Sequence, residues 1–247
     1  MGILSFLLLI SFWRDGFGRA ETCTRHYKQG WYYWDMLIKD VYKKYEVMPQ
    51  LIEHQIRVAG VGHLVARGWS GANLREVTLA CLLHDLGNIV KFDLTDTPER
   101  RALFGITPDL ERWQRVQNEY RTKYGTSAHT ATTAILKEMG LTEMVRIVNE
   151  EAELYFSEAS PKQLDAMSPS VIILMYADCR VIPSGVTSYR ARLDDLAVRY
   201  GGGKTTTWRE WMNQFEKYIA SKTTINLDSI TEESIKPLTS ELLNYSI

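Results

Sequence analysis

The sequence has little of several features that mark specialised protein classes. Its 247 residues include only three cysteines, Cys23, Cys81 and Cys179, and no C-x-x-C pair, which excludes a small domain stapled by disulfides. The 29 Lys and Arg are matched by 30 Asp and Glu, so no net basic charge attracts a long nucleic acid. The composition, 45% hydrophobic and 24% charged, is that of a globular protein rather than a disordered or collagen-like chain. We expect reduced, buried thiols in a cytoplasmic protein.

Long apolar runs are also missing. The longest clear run, residues 3–13, is too short for a membrane span, which needs about 20 apolar residues. It has three interpretations: a weak signal or anchor, a helix docked on the body, or extra sequence upstream of the working domain. No Lys or Arg precedes it and no small-residue cleavage site follows, which favours the third. The predicted organisation is an N-terminal extension (1–35), a domain (36–222) and a C-terminal helical tail (223–247). The tail has three open interpretations, a lid, a dimer contact or a docked segment, and the oligomeric state stays open.

From Met36 onward the residue pattern predicts helices. Between Pro49 and Gly68, which suit the start and end of a helix, apolar residues recur every three or four positions. Helix starts are predicted at the potential capping residues Asn73, Ser127, Thr142 and Ser168. The Ser168 helix is expected to stop near Pro183, and two amphipathic helices follow over 188–200 and 207–221, joined through the glycines at 201–203. Because no segment alternates as a strand does, the predicted fold is all-α.

Polar residues inside apolar helices are the strongest functional signal. His84 and Asp85 follow a leucine-rich segment, Asp178 ends the run VIILMYA, and His54 lies among the core-like residues Leu51 and Val58. A buried carboxylate needs a cation, a metal or a strong donor as partner. Imidazole nitrogens with carboxylate oxygens suit Mn²⁺, Fe²⁺, Co²⁺ or Zn²⁺ and leave positions for water and substrate. The alternative for each residue is a satisfied polar group of the core.

The ordered set of these residues resembles the H…HD…D pattern of the HD-domain superfamily of metal-dependent phosphohydrolases. LIEHQIRVAGVGHLVA resembles the first-ligand helix of that family, ACLLHDLGN its A-x-L-L-H-D-x-G motif, and YADCRV its closing helix. The resemblance covers about residues 36–200 and implies a helical HD bundle that holds one divalent ion (Mn, Fe, Co, Mg or Zn). Its ligands would be His54, His84, Asp85 and Asp178. Asp85 would also act on the nucleophilic water, or would only orient His84.

Further residues are candidates for substrate contacts. His129 lies near a helix N-terminus and could act in catalysis and bind phosphate, or be a surface histidine. Arg57, three residues after His54, could clamp phosphate or pair with a carboxylate. Asn88 and Lys91, just after the HD pair, are the other predicted substrate-binding residues. His63 should point away from His54, because nine residues make about two and a half helical turns.

The predicted function is hydrolysis of a small phosphorylated metabolite, with a nucleotide as the substrate. Asn88 stands where several HD branches carry an acidic residue or Lys, so their general-base mechanisms do not transfer directly. No GYP element is present, and only His129 lies between Asp85 and Asp178, whereas dinuclear HD oxygenases need two histidines there. The alternatives are a non-catalytic HD domain that senses a nucleotide or a partner, and a di-iron oxygenase of HD type.

Overall fold

The most apolar of the described helices lies at the centre of the helical bundle. In the computed structural model, which describes residues 36–104, 107–200 and 206–247, helix α9 runs from Pro169 to Asp178, with Ser168 capping its N-terminus. Every side chain from Val171 to Ala177 is at most 1% exposed. A helix that is apolar on all sides is stable only when other elements surround it. Here α2 (Pro49–Arg67), α3 (Leu74–Leu83) and α7 (Thr142–Ser157) pack around it.

Shorter helices complete the bundle. The structure has these further elements: α1 (Ile38–Lys44), α4 (Pro98–Phe104), α5 (Leu110–Tyr124), α6 (Ala128–Glu138), α8 (Pro161–Asp165), α10 (Tyr189–Tyr200), α11 (Thr206–Lys222), α12 (Glu232–Ile235) and α13 (Thr239–Leu243). Single 3₁₀ turns cover Asn88–Lys91, Leu227–Ser229 and Lys236–Leu238. An antiparallel hairpin pairs β1 (Val181–Ile182) with β2 (Gly185–Val186). The predicted all-α class is therefore confirmed for the described chain.

Close packing of α2 on α3 depends on a glycine. A Cβ atom at Gly62 would lie 2.6 Å from the Cys81 Sγ, well inside van der Waals contact. Cys81 and Cys179 are both buried, and neither is in a disulfide. The two helices thus approach each other closely at Gly62.

The four predicted helix starts are confirmed to within one residue, and one predicted cap is wrong. The side chains of Asn73, Ser127 and Ser168 each accept a hydrogen bond from the first turn of the helix that follows. Thr142, by contrast, is the first residue of α7 rather than its cap, and Leu141 precedes it without a side-chain cap. Helix α9 also ends at Asp178 instead of near Pro183, because the chain turns into the short hairpin there.

The C-terminal tail docks on the body of the protein. The Ile38 N–H donates to the Tyr245 carbonyl at 2.9 Å, and the Ile247 N–H donates to the Met36 carbonyl at 3.0 Å. Helix α12 packs on α2, where a Cβ at Gly60 would lie 2.8 Å from the Ile235 Cβ. Of the three interpretations of the tail, the structure matches the docked segment. The predictions for residues 1–35, and for the linker at 201–203, lie outside the described residues. Within the described ranges, no helix has the length and apolarity to cross a membrane.

Candidate metal centre

Three helices bring the predicted ligands together. His54 lies in the second turn of α2, His84 and Asp85 lie in the turn that follows α3, and Asp178 is the last residue of α9. Because α2, α3 and α9 pack on one another, these side chains converge although up to 124 positions separate them in sequence. Asp178 also stands at the negative end of a helix dipole, where a carboxylate is stable only beside positive charge.

The ligand atoms lie at separations that suit one shared cation. The His54 Nε2 is 3.1 Å from the Asp178 Oδ1 and 3.5 Å from the Asp85 Oδ2. The His84 Nε2 is 3.6 Å from the same Asp85 oxygen and 3.7 Å from the Asp178 Oδ1. Metal–ligand bonds of about 2.0–2.2 Å place neighbouring ligand atoms roughly 3–3.5 Å apart. One atom each from His54, His84 and Asp85 forms a set within 4.8 Å.

His84 shows most directly that the residues fit a metal. Its Nδ1 lies 2.9 Å from the Cys81 carbonyl oxygen, which can only accept, so Nδ1 carries the proton. The Nε2 is buried and has no hydrogen-bond partner. A buried nitrogen left unpaired is costly unless a metal or other partner satisfies it. In the deprotonated ring that a metal needs, this backbone contact leaves the Nε2 lone pair directed towards the centre, as in many metal-binding histidines.

The charges of the centre shift the pKa values of its members. Burial alone would lower the pKa of His84, but the negative charges of Asp85 and Asp178 raise it to about 9. Burial alone would raise the pKa of Asp178, but contacts with His54 and His84 hold it well below its usual range. Without a cation, the centre is thus held together by imidazolium–carboxylate attraction.

Asn88 is buried against the candidate ligand Asp85 and is not exposed to solvent. Its side chain is buried, and its Nδ2 donates a short hydrogen bond to the Asp85 Oδ2. This oxygen is the one that faces both histidines. Asn88, which was predicted to bind substrate, therefore orients the Asp85 carboxylate in this structure.

Gly87 lets helix α6 approach the HD turn. Its N–H donates to the Thr132 Oγ1 at 2.9 Å, and a Cβ there would lie 2.4 Å from the Thr132 N and 2.8 Å from the Ala128 carbonyl oxygen. The first turn of α6 carries His129, which is exposed and whose Nε2 lies 2.8 Å from the Asn149 Oδ1. The candidate catalytic histidine is thus accessible to solvent on a helix tied to the HD turn.

The other residues singled out from the sequence differ in exposure and in ion pairing. Lys91 is exposed at the end of its 3₁₀ turn. Arg57 is paired, since its Nε lies 2.9 Å from the Glu232 Oε1 and its Nη1 lies 3.3 Å from the Glu53 Oε2. His63 is buried beside Thr78 (Nδ1 to Oγ1 3.2 Å), which agrees with its placement away from the ligands.

Two charged residues near the centre were missed by the sequence reasoning. Glu151 on α7 has a pKa raised to about 8, first by burial and then by the charge of Asp178. It shares a helix face with the buried Ile147 and Leu154, and this spacing of an acid among core residues was a usable signal. Arg192 on α10 is also electrostatically coupled to Asp178. Its sequence context gave no such signal, because amphipathic helices commonly carry arginine beside their apolar face.

The site is thus a two-histidine, two-carboxylate centre within an all-α bundle. A family model described as the HD domain matches residues 51–180, more than half of the chain, so the chain belongs to the HD-domain family. HD domains bind divalent metals and are in general metal-dependent phosphohydrolases. The match spans all four predicted ligands, from α2 to the end of α9. No curated protein and no solved structure matches the chain.

Proposed function

We propose that this HD-domain protein is a phosphohydrolase that uses one divalent metal ion and acts on a small phosphorylated metabolite, with a nucleotide as the substrate class. The observation that carries the proposal is the unpaired, buried Nε2 of His84, which faces two carboxylates at 3.6 and 3.7 Å. A single ion is favoured because the described ranges present one cluster of three or more potential ligands.

His54, His84, Asp85 and Asp178 would hold the ion. When bound, a divalent ion polarises a phosphoryl oxygen and lowers the pKa of a water molecule on it. The chain itself supplies orientation: the Cys81 carbonyl fixes the His84 ring, and Asn88 fixes Asp85. The Asp85 side chain is 22% exposed, so it can also reach a water molecule on the solvent side and accept its proton.

The substrate class follows from the charges around the centre. The chain has a net charge of -1, so binding of an anion depends on local cations rather than on a general basic field. Lys91 and His129 are exposed close to the HD turn, and we assign them to phosphate binding. Arg57 would need to leave Glu232 before it could do the same. The buried cysteines Cys81 and Cys179, neither of which is in a disulfide, support a reducing, cytoplasmic location.

Metal content and phosphate release test the proposal together. Wild type is compared with Asp85→Asn and Asp178→Asn on a panel of nucleotides and sugar phosphates, with metals determined by elemental mass spectrometry. The matched control is Asp93→Asn, an exposed aspartate outside the ligand set. We expect both ligand variants to lose bound metal and activity, while the control keeps them. Equal metal content and equal turnover in all four proteins would overturn the site assignment.

The structure also favours one alternative, a non-catalytic nucleotide sensor. Asn88 is buried against Asp85 and cannot act as a general base where other HD branches carry an acid. A sensor would bind a nucleotide and gain thermal stability by mass action, without releasing phosphate. A thermal-shift screen run beside the turnover assay separates the two functions.

A further inference from the structure

Helix α5 holds the 3₁₀ turn that follows the HD pair. Gln117 lies on α5, and its Nε2 donates to the Ile89 carbonyl oxygen at 2.6 Å and to the Phe92 carbonyl oxygen at 2.8 Å. The turn covers Asn88–Lys91, so one of these carbonyls lies within it and the other directly after it. The two N–H groups of one side-chain amide thus hold the turn near its start and at its end.

The Gln117 side chain is a buried polar group on an apolar helix face. It is 5% exposed, and the buried rings of Trp113 and Tyr120 lie about one helical turn away on either side of it. Removing an amide from water is unfavourable unless its donors are satisfied, and an apolar side chain of similar size would avoid that cost. The two hydrogen bonds to the turn offset it here. They also fix the orientation of the amide, because carbonyl oxygens can only accept.

The 3₁₀ turn depends on such contacts from neighbouring helices. Short 3₁₀ segments have poorer hydrogen-bond geometry than α-helices, and the Val90 N–H and the Phe92 N–H each donate within this turn at 3.2 Å. Donors and acceptors on α5 and α6 add to these bonds. They are the Thr132 Oγ1, which accepts from the Gly87 N–H, the Gln117 Nε2, and the exposed Arg121, whose Nε donates to the Val90 carbonyl oxygen at 2.9 Å.

A continuous series of contacts leads from this turn to the metal centre. Ile89, which accepts from Gln117, directly follows Asn88, whose Nδ2 donates a short hydrogen bond to the Asp85 Oδ2. That oxygen lies 3.5 Å from the His54 Nε2 and 3.6 Å from the His84 Nε2. A shift of the turn would therefore move the Asn88 amide away from the carboxylate oxygen that faces both histidines.

We infer that Gln117 is a positioning residue of the metal centre, which fixes the 3₁₀ turn and so holds Asn88 against the candidate ligand Asp85. The inference rests on the metal site of the proposed function and adds to it a residue of α5, a helix that carries no predicted ligand. Hydrogen bonds behind the ligands orient them before the ion binds, and their loss typically weakens metal binding about 10–100-fold. Because Gln117 acts through Asn88, we expect an effect at the lower end of this range.

Calorimetric titration of manganese into the metal-free protein tests the inference. We expect Gln117→Met, which has a side chain of similar length but no donors, to bind manganese about tenfold more weakly than the wild type. The matched control is Tyr120→Phe, which removes a different buried hydrogen bond of α5, the one to the Tyr45 carbonyl oxygen. Both variants should be less stable than the wild type in urea unfolding, but the control should keep wild-type manganese affinity.

A double-mutant cycle tests the route through Asn88. Asn88→Ala alone should weaken manganese binding at least as much as Gln117→Met does, because it removes the contact with Asp85 itself. Adding Gln117→Met to Asn88→Ala should then weaken binding by less than about twofold further, since the interaction that Gln117 supports is already lost. A residue that only stabilised the fold would instead have the same effect in both backgrounds.

The outcomes separate this inference from the proposed function. If the wild type binds manganese and hydrolyses phosphorylated substrates while Gln117→Met keeps wild-type manganese affinity, the inference fails and the proposed function stands. An equal loss in Tyr120→Phe, or a full further loss in the Asn88→Ala background, also overturns the inference. If the wild type binds none of Mn²⁺, Co²⁺ and Zn²⁺, both fail. If Gln117→Met does not fold, Gln117→Asn, whose amide is one methylene shorter, takes its place with the same expectations.

Discussion

Metal binding should expel a proton from His84. In the metal-free protein Asp85 and Asp178 raise the pKa of His84 to about 9, against the tendency of burial to lower it. A metal needs the neutral ring, so each pH unit below that pKa costs about 1.4 kcal/mol of apparent affinity. At pH 7 we therefore expect metal affinity to be roughly 100-fold weaker than above pH 9.

Calorimetry near pH 8 isolates this proton from those of other histidines. With a pKa of about 9, about 0.9 of the His84 rings are protonated there, against about 0.03 for an ordinary histidine. Manganese is titrated in two buffers of different ionisation enthalpy, and the difference in heat gives the number of protons released. His63→Gln is the control, because burial lowers the pKa of His63 and this ring should release nothing.

The same pKa makes the stability of the metal-free protein depend on pH. Because the pKa of His84 is higher in the folded state than in the unfolded state, its stabilisation is complete below pH 6.5 and is lost as the pH rises to about 9. Release of fewer than about 0.3 protons on metal binding at pH 8 would refute the reasoning. So would an imidazole NMR titration that places His84 near its ordinary value.

Three further predictions concern packing and charge. Gly87→Ala should destabilise the protein by about 1–3 kcal/mol in urea unfolding, because its Cβ would meet the backbone of α6 at 2.4 Å; an unchanged midpoint would contradict this. Arg180→Met should cost about 3–5 kcal/mol in the same assay, since buried carbonyls of Leu227 and Ile230 lose their donor, and a cost under about 1 kcal/mol would count against this role. The pKa of Glu151, raised mainly by burial, is about 8 when folded and 4.5 ordinarily, so ionisation weakens the fold as pH rises between these values. Glu151→Gln should therefore be more stable than wild type at pH 8 and similar at pH 4.5, and a constant difference across that range would exclude the mechanism.

The cluster of candidate ligands could be predicted from sequence because polar residues interrupt apolar helices. His84, Asp85 and Asp178 stand out against apolar neighbours, and the structure buries His84 and half-buries the two aspartates. Asn88 was harder, since spacing shows that it follows the ligands but not that its amide turns back to Asp85. The stacking of Tyr189 on Tyr176 could not be found in this way, because it depends on how α10 packs on α9.

Helix caps could be predicted where the capping side chain bonds to residues close to it in sequence. Capping by Asn73 and Ser127 depends on residues three positions away, so the sequence contains the whole interaction. The hairpin after α9 was missed because two-residue strands are too short to show alternation. The docking of the tail was left open, since Ile235 and Gly60 are far apart in sequence and meet only through the tertiary fold.

The ion pair between Glu232 in the C-terminal tail and Arg57 on α2 has a consequence for synthesis of the protein. Glu232 accepts from Arg57, one turn after His54, and its other oxygen accepts from the Val186 N–H in the hairpin beyond Asp178. The Glu232 side chain thus joins α2, which carries His54, to the β1–β2 hairpin, which follows Asp178. We therefore expect the cluster of candidate ligands to reach its final form only after Glu232 has been synthesised and can make these contacts. A ribosome-bound chain arrested before Glu232 should therefore bind the ion weakly.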